Sequence, residues 1–387
     1  MACFTAMDQM GHEELIFCRM KEVGLQAVIA IHDTTLGPAL GGTRMWPYAS
    51  EDEAIVDALR LSRGMTFKAT AAGLNLGGGK GVIIGDPKTD KSEALFRAYG
   101  RFIESLKGRF ITGEDVGIDV NDVEYMFMET RYVCGLSKAH GGGGDPAPVT
   151  AFGVLQGMKA CADERLGQSS LKGVTVAIQG LGSVGFPLAR LLKEEGAEIV
   201  ATDLQEERRQ HAADALGIKV VIASDIYDVP ADIFAPCALG AVVNDETLDR
   251  MRFKIIAGAA NNQLAENRHG LELFERNILY APDYVINAGG MINVFVELEG
   301  YDRERALRMS RGIFYNLRKI FQIARRESIP TNQAADHLVE ERIAMMRHLK
   351  GIYTGPHSNG IDGKVIDTGG PAGRVLGDLN HYVDDSP

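Results

Sequence analysis

No apolar run in the chain approaches the ~20 residues that a membrane-spanning helix needs. Near the start, Asp8, His12, Glu13 and Glu14 interrupt any hydrophobic stretch, so no secretory signal is expected and a cytoplasmic location is. Cysteine is scarce and odd in number: Cys3, Cys18, Cys134, Cys161 and Cys237 form no CxxC pair and no zinc spacing. That pattern excludes a disulfide framework and a thiolate metal centre, and fits free thiols in a reducing compartment. Positive charge is also in deficit, with 41 Lys and Arg against 52 Asp and Glu and a net charge of −11. Nucleic acid and anionic membrane are therefore excluded as main partners, while a local positive pocket for a small acidic substrate is not.

What remains is the composition of an ordinary globular protein, 45% hydrophobic and 24% charged, and 387 residues allow two cores. LQAVIAIHDTT (25–35) has the β-branched look of a strand. In SEDEAIVDALRLSRG (50–64), Ser50 and Glu53 form a capping box before apolar residues at helical spacing, and Gly64 is a plausible stop. GVIIGDP (81–87) reads as a strand, 91–108 as a helix and RFITGED (109–115) as a strand. HGGGGDPAP (140–148) is the sharpest run of breakers and predicts a hinge between domains. Beyond it, helices alternate with strands apolar on both faces (174–180, 198–203, 231–238, 254–260), which predicts a parallel sheet. Residues 301–349 read as helical, broken at Pro330.

Two motifs carry chemistry. Gly180-Leu181-Gly182-Ser183-Val184-Gly185 follows a predicted strand and opens a predicted helix, and Asp203 ends the next strand. This is the context in which GxGxxG binds a dinucleotide. Its glycines allow a tight turn, close approach to a pyrophosphate, and close packing of helix on strand. Asp203 would accept hydrogen bonds from the ribose hydroxyls, favouring NAD over NADP, although Arg208 and Arg209 follow closely.

The second motif, LNLGGGKGVIIGDP (74–87), resembles a P-loop but fails its test. Leu74 stands where the first glycine belongs, and Gly81 stands where Ser or Thr would hold magnesium. Lys80 and the nearby Lys68, in GMTFKATAAG, instead share apolar settings. Such a pair predicts a division of labour: one ammonium binds a carboxylate, while the other, its pKa lowered by burial and by its neighbour, acts as a general base. Asp115 in ITGEDVG is the candidate proton partner, ahead of Glu114. No metal is called for.

The blocks GPALGGTRM, LNLGGGKGVIIGDP, GEDVG, IAGAANNQL and APDYVINAGGMINV, in one collinear order, resemble the glutamate/leucine/phenylalanine/valine amino-acid dehydrogenases, most closely the members acting on leucine. The resemblance implies an α/β protein of two domains: an N-terminal substrate domain (1–145), a Rossmann NAD domain (146–330) with a cleft between them, and a helix (331–350) returning to the first. A poorly ordered tail (351–387) is expected. Lys68 then binds the substrate α-carboxylate with the backbone of Gly41 and Gly42, Lys80 is the base and Asp115 its partner. Leu40, Met65, Gly113, Met291 and Val294 line the side-chain pocket. Asn261 and Asn262 lie by the nicotinamide and substrate, and Thr150 by the carboxamide; Leu204, Ala238 and Ala260 extend the cofactor contacts.

The implied reaction is NAD-dependent oxidative deamination of an apolar L-amino acid to its 2-oxo acid and ammonium. The pocket offers a γ-carboxylate no cation, which disfavours glutamate. Leucine-type members usually carry Ala at Gly113 and Val at Met291, so one departure opens the pocket and the other fills it. Branched-chain substrates are expected ahead of phenylalanine or tryptophan. A silent NAD-binding regulator is the remaining alternative, against which Lys68, Lys80 and Asp115 stand intact. A homo-oligomer is expected, an octamer by resemblance.

Overall fold

The computed structural model describes residues 2–349. The 351–387 stretch, and with it the expectation of a poorly ordered tail, lies outside the described residues. Two sheets organise the chain. The first contains β1 (Glu14–Met20), β2 (Leu25–Asp33), β3 (Ala39–Leu40), β4 (Thr43–Trp46), β5 (Gly77–Ile84) and β6 (Phe110–Ile111). Its order is β1-β2-β5-β3-β6, with β4 also paired to β5. β1 and β2 run antiparallel to their neighbours, whereas β3, β4 and β6 pair in parallel.

The second sheet contains β7 (Thr175–Gln179), β8 (Glu198–Thr202), β9 (Lys219–Val220), β10 (Ile233–Pro236), β11 (Ile255–Ile256) and β12 (Leu279–Tyr280). It is parallel throughout, in the order β12-β11-β10-β7-β8-β9. The strand order reverses beside β7, the switch point at which doubly wound sheets bind ligands. GxGxxG leaves the end of that strand.

The helix Glu51–Ala71 corrects one expectation. Ser50 Oγ accepts from the Glu53 N–H, but the Glu53 carboxylate reaches back to Ala49 N–H rather than Ser50, so only half of the capping box forms. Gly64 does not stop the helix; it is exposed, with nothing near its Cβ position, and the helix runs on to Ala71. The continuation buries Thr66 and Thr70 beside Phe67, and it places Lys68 in the last turn.

A second correction concerns the glycines. The strand read as beginning at Gly81 begins at Gly77, so Gly77, Gly78 and Gly79 are its first residues, and it ends at Ile84. A Cβ on Gly78 would overlap the backbone nitrogen and Oγ1 of Thr66, and one on Gly79 would enter the Phe110 ring. The room they make is taken by the protein's own helix and core, not by a ligand. Alternation places Lys80 on the same face of β5 as Gly78, the face that the Lys68 helix covers.

Helices Arg303–Ser310, Gly312–Glu327 and Thr331–Leu349 follow, with Pro330 separating the last two. Arg342 of the last helix donates to the carbonyls of Thr70 at 2.6 Å and Gly73 at 3.2 Å, and Asn316 to that of Ala71 at 2.9 Å. These donors satisfy carbonyls at the end of the Lys68 helix that have no partner within it. No helix among the described residues is long and apolar enough to cross a membrane.

Two stability predictions follow from this packing. Gly78→Ala should destabilise the fold by ~3 kcal/mol through overpacking against the helix backbone. Gly64→Ala, in open space within a helix, should stabilise it by ~1 kcal/mol. Urea unfolding of both variants measures the contrast.

A buried histidine pair gives a pH dependence. His12 and His32 stack edge to face at 4.8 Å. His12 Nε2 lies 2.8 Å from Ser62 Oγ and 3.0 Å from Leu59 O. Burial, then the nearby His32, pushes His12 from 6.5 down to about 4. Between those values the unfolded chain binds more protons, so stability should fall as pH drops from about 6.5 to about 4. His12→Asn should flatten that part of a melting-temperature profile.

Candidate active site

Lys68 and Lys80 come from different elements, the end of the Glu51–Ala71 helix and the middle of β5, yet converge. Gly41 and Gly42, between β3 and β4, make this possible. A Cβ on Gly41 would overlap the Gly79 carbonyl, and one on Gly42 would overlap the Glu114 carbonyl and crowd Asp115. Their absence lets the loop after β6 bring Asp115 over β5. Lys80 Nζ donates to Asp115 Oδ2, and Lys80 is only 6% exposed. Burial pulls the Lys80 ammonium below its ordinary pKa against the attraction of Asp115. Burial pushes Asp115 up, but Lys80, then Arg44 and the Val116 N–H, outweigh it and hold the carboxyl below its usual range.

Lys68 is drawn down by burial to about 8, with Asp283 opposing and Lys80 assisting the shift. Asp283 is fixed by the N–H groups of Gln263 at 2.9 Å and Tyr284 at 2.7 Å, and burial raises it. The residue was present in APDYVINAGG, but spacing alone gave no sign that it faces Lys68.

A cleft of about 810 Å³ opens beside the lysines. Leu40, Gly41, Gly42, Met65, Lys68 and Gly113 line it from the first sheet's side, Thr150, Val184 and Asn261 from the second, and Met291 and Val294 from the helix Gly289–Leu298. Lys80 and Asp115 lie behind this lining. Glu114, placed second to Asp115, reaches the cleft, but Asp115 holds Lys80.

Several lining residues were not anticipated. Asn287 donates to Asn261 Oδ1 at 2.8 Å and to Ala259 O at 3.2 Å, leaving its own Oδ1 buried without a partner. Glu297 accepts from the N–H groups of Gly135, Leu136 and Gly143 and so ties the chain before the predicted hinge to the hinge itself. Cys134 donates to Thr112 O at 3.1 Å, and a Cβ on Gly113 would sit 3.0 Å from its sulfur. The space left by Gly113 is thus filled by Cys134. A lone charged residue inside a largely apolar run, as with Glu297 in INVFVEL, was the signal available.

The fingerprint loop has the form a pyrophosphate needs. Gly180 adopts φ 101°, where a Cβ would strike Ala238, and a Cβ on Gly185 would overlap the Gly180 carbonyl. Gly182 faces open space, with Arg208 as its nearest neighbour. Ser183 and Val184 complete the turn into the helix Gly185–Glu194. Asp203, at the end of β8, accepts from the Leu181 N–H at 2.8 Å and the Gln205 N–H at 2.9 Å, with Arg208 at 3.7 Å. Leu204 beside it is 80% exposed. Ala260 is buried and bonded to Pro236, whereas Asn262, at φ 50°, donates its backbone N–H to Asp283. Asn261, not Asn262, lines the cleft.

Known proteins match most of this chain. Residues 12–132 match the Glu/Leu/Phe/Val dehydrogenase dimerisation domain, and 141–206 with 202–339 match the Glutamate/Leucine/Phenylalanine/Valine dehydrogenase domain. The leucine dehydrogenase of Thermoactinomyces intermedius is 56% identical over 362 residues, covering 94% of this chain and 99% of that protein. The phenylalanine dehydrogenase of Caldalkalibacillus thermarum is 48% identical over 359 residues, 90% of this chain and 96% of the relative. The crystal structure of the L-tryptophan dehydrogenase of Nostoc punctiforme superposes with a TM-score of 0.82 at 46% identity, covering 89% of this chain and 99% of that one. With a buried lysine–aspartate pair, a second lysine in the cleft and a dinucleotide turn across it, the chain belongs to the glutamate/leucine/phenylalanine/valine dehydrogenase family and is an amino-acid dehydrogenase.

Proposed function

We propose that the chain catalyses the reversible oxidative deamination of leucine and related branched-chain L-amino acids with NAD. The carrying observation is the division between the two lysines: Lys68 faces the cleft, while Lys80 is buried on Asp115. Lys68, with the Gly41 and Gly42 backbone, binds the substrate carboxylate. NAD held at the Gly180–Gly185 turn and Asp203 would supply the acceptor for the hydride that leaves the substrate Cα. Lys80 in its neutral form accepts a proton from the water that attacks the resulting substrate imine. Asp115 orients Lys80 and passes a proton as the carbinolamine collapses. The products are the 2-oxo acid, ammonium, NADH and a proton. Asn287, Asn261 and Thr150 orient the reacting groups.

NAD rather than NADP is supported by the Asp203 carboxylate at the end of β8, which would repel a 2′-phosphate. Branched-chain preference is supported by Cys134. Gly113 alone would widen the pocket toward aromatic side chains, but the thiol occupies that volume and Met291 fills the opposite wall. The described cysteines are all free, which supports a reducing cytoplasm. A homo-oligomer is supported by the matched family's description as a dimerisation domain and by the edge strand β1, where Phe17 is 58% exposed.

Initial rates with leucine, valine, isoleucine, phenylalanine and tryptophan, each with NAD⁺ and NADP⁺, test the proposal through NADH absorbance. Leucine with NAD⁺ should give the highest kcat/KM; a higher value for phenylalanine would overturn the substrate assignment. Cys134→Ala should raise the phenylalanine-to-leucine ratio of kcat/KM by roughly tenfold. Lys80→Ala should lower kcat roughly a thousandfold while NADH binding persists; unchanged turnover removes the base from Lys80. Because Lys68 must stay charged to bind a carboxylate, kcat/KM should decline above about pH 8, and Lys68→Arg should abolish that decline.

A further inference from the structure

Arg44 takes no part in the scheme above, yet it touches the atom on which the scheme turns. It stands on β4, opposite Val82 of β5. Its Nε lies 3.4 Å from Asp115 Oδ2, the oxygen that accepts from Lys80. That Nε is buried and makes no hydrogen bond, so the contact is one of charge. The far end of the guanidinium is fixed: Nη1 donates to Asp57 Oδ2 at 2.9 Å. Asp57 in turn accepts from Tyr48 Oη at 2.7 Å and from Arg60 Nη2 at 2.8 Å.

We propose that Arg44 is a positioning residue: anchored by Asp57, it holds the Asp115 carboxylate over Lys80 and shares it, so that Lys80 gives up its proton readily. A carboxylate serving one lysine alone favours the ammonium. The same carboxylate divided between two cations leaves the trio with surplus positive charge, which proton release from Lys80 removes. The other charges facing Lys80 are Asp57, which favours the ammonium, and Lys68, which opposes it. Arg60 sits on the outer side of Asp57, and Tyr48, raised by burial, stays neutral. The consequence for turnover rests on the dehydrogenase function proposed above; the charge arrangement does not.

The test is therefore read in two ways. Competitive acetylation of Lys80 against pH, followed by mass spectrometry, titrates this lysine without turnover, and the rising limb of kcat/KM with leucine reads it in catalysis. Arg44→Gln should move both to higher pH by about one unit, and Arg44→Lys, which keeps the charge, should restore most of the shift. Titration unchanged in Arg44→Gln, or moved equally in both variants, overturns the proposal. If Arg44→Gln does not unfold cooperatively on heating, Asp57→Asn decides. Removing that carboxylate leaves Arg44 unneutralised and should move the titration of Lys80 to lower pH; no shift, or a shift to higher pH, overturns it. Should the native enzyme deaminate no amino acid while the labelling shifts as stated, the functional proposal fails and this one stands.

Discussion

A lysine that must lose its proton has to be buried, and burying an ammonium in the middle of a sheet is costly unless a carboxylate comes with it. Much of the first sheet answers that constraint. β5 carries Lys80 at its centre, paired on both sides, and the loop after β6 delivers Asp115 from a strand that does not touch β5. Both approaches need backbone to meet backbone, and this explains Gly41, Gly42 and Gly78 together. Each glycine stands where a methyl group would push the lysine, its partner or the covering helix out of reach.

The same constraint separates the two lysines. Lys68 meets the cleft and has only Asp283 nearby, a carboxylate that burial itself weakens. Lys80 has a carboxylate in direct contact, but one also faced by Arg44. One site is thus short of negative charge and suited to receive a carboxylate from outside. The other is internally compensated and suited to exchanging a proton. Two residues of one type acquire different chemistry from where their counter-charges sit.

Motifs whose physics is local were legible in the sequence. Gly180, Gly182 and Gly185 sit in a fixed spacing between a strand and a helix, with Gly185 packed on the Gly180 carbonyl, and Pro330 separates two helices. The lysine pair was visible because charged residues in apolar runs are unusual. The glycine block was misread because glycine has no side chain to show strand alternation; only the register with β2 and β3 reveals that β5 begins at Gly77. The helix past Gly64 was missed for a related reason. Its buried face runs from Ser62 through Thr66 to Thr70, residues a hydrophobic pattern counts as solvent-facing, although the Gly78 notch and the His12–His32 pair cover Ser62 and Thr66. Asp283, Asn287 and Glu297 lie far in sequence from what they touch, so no spacing rule reaches them.

That long reach also gives the C-terminal helix a role at the site. Arg342 donates into the carbonyls that end the Lys68 helix, from more than two hundred residues away. A helix C-terminus carries partial negative charge and favours nearby cations. Arg342 is such a cation, set against those carbonyls. Arg347 is paired with Asp33 of β2 and fixes the same helix at a second point. The last helix is therefore more than a cover for the first sheet: it satisfies the end of the helix that presents Lys68.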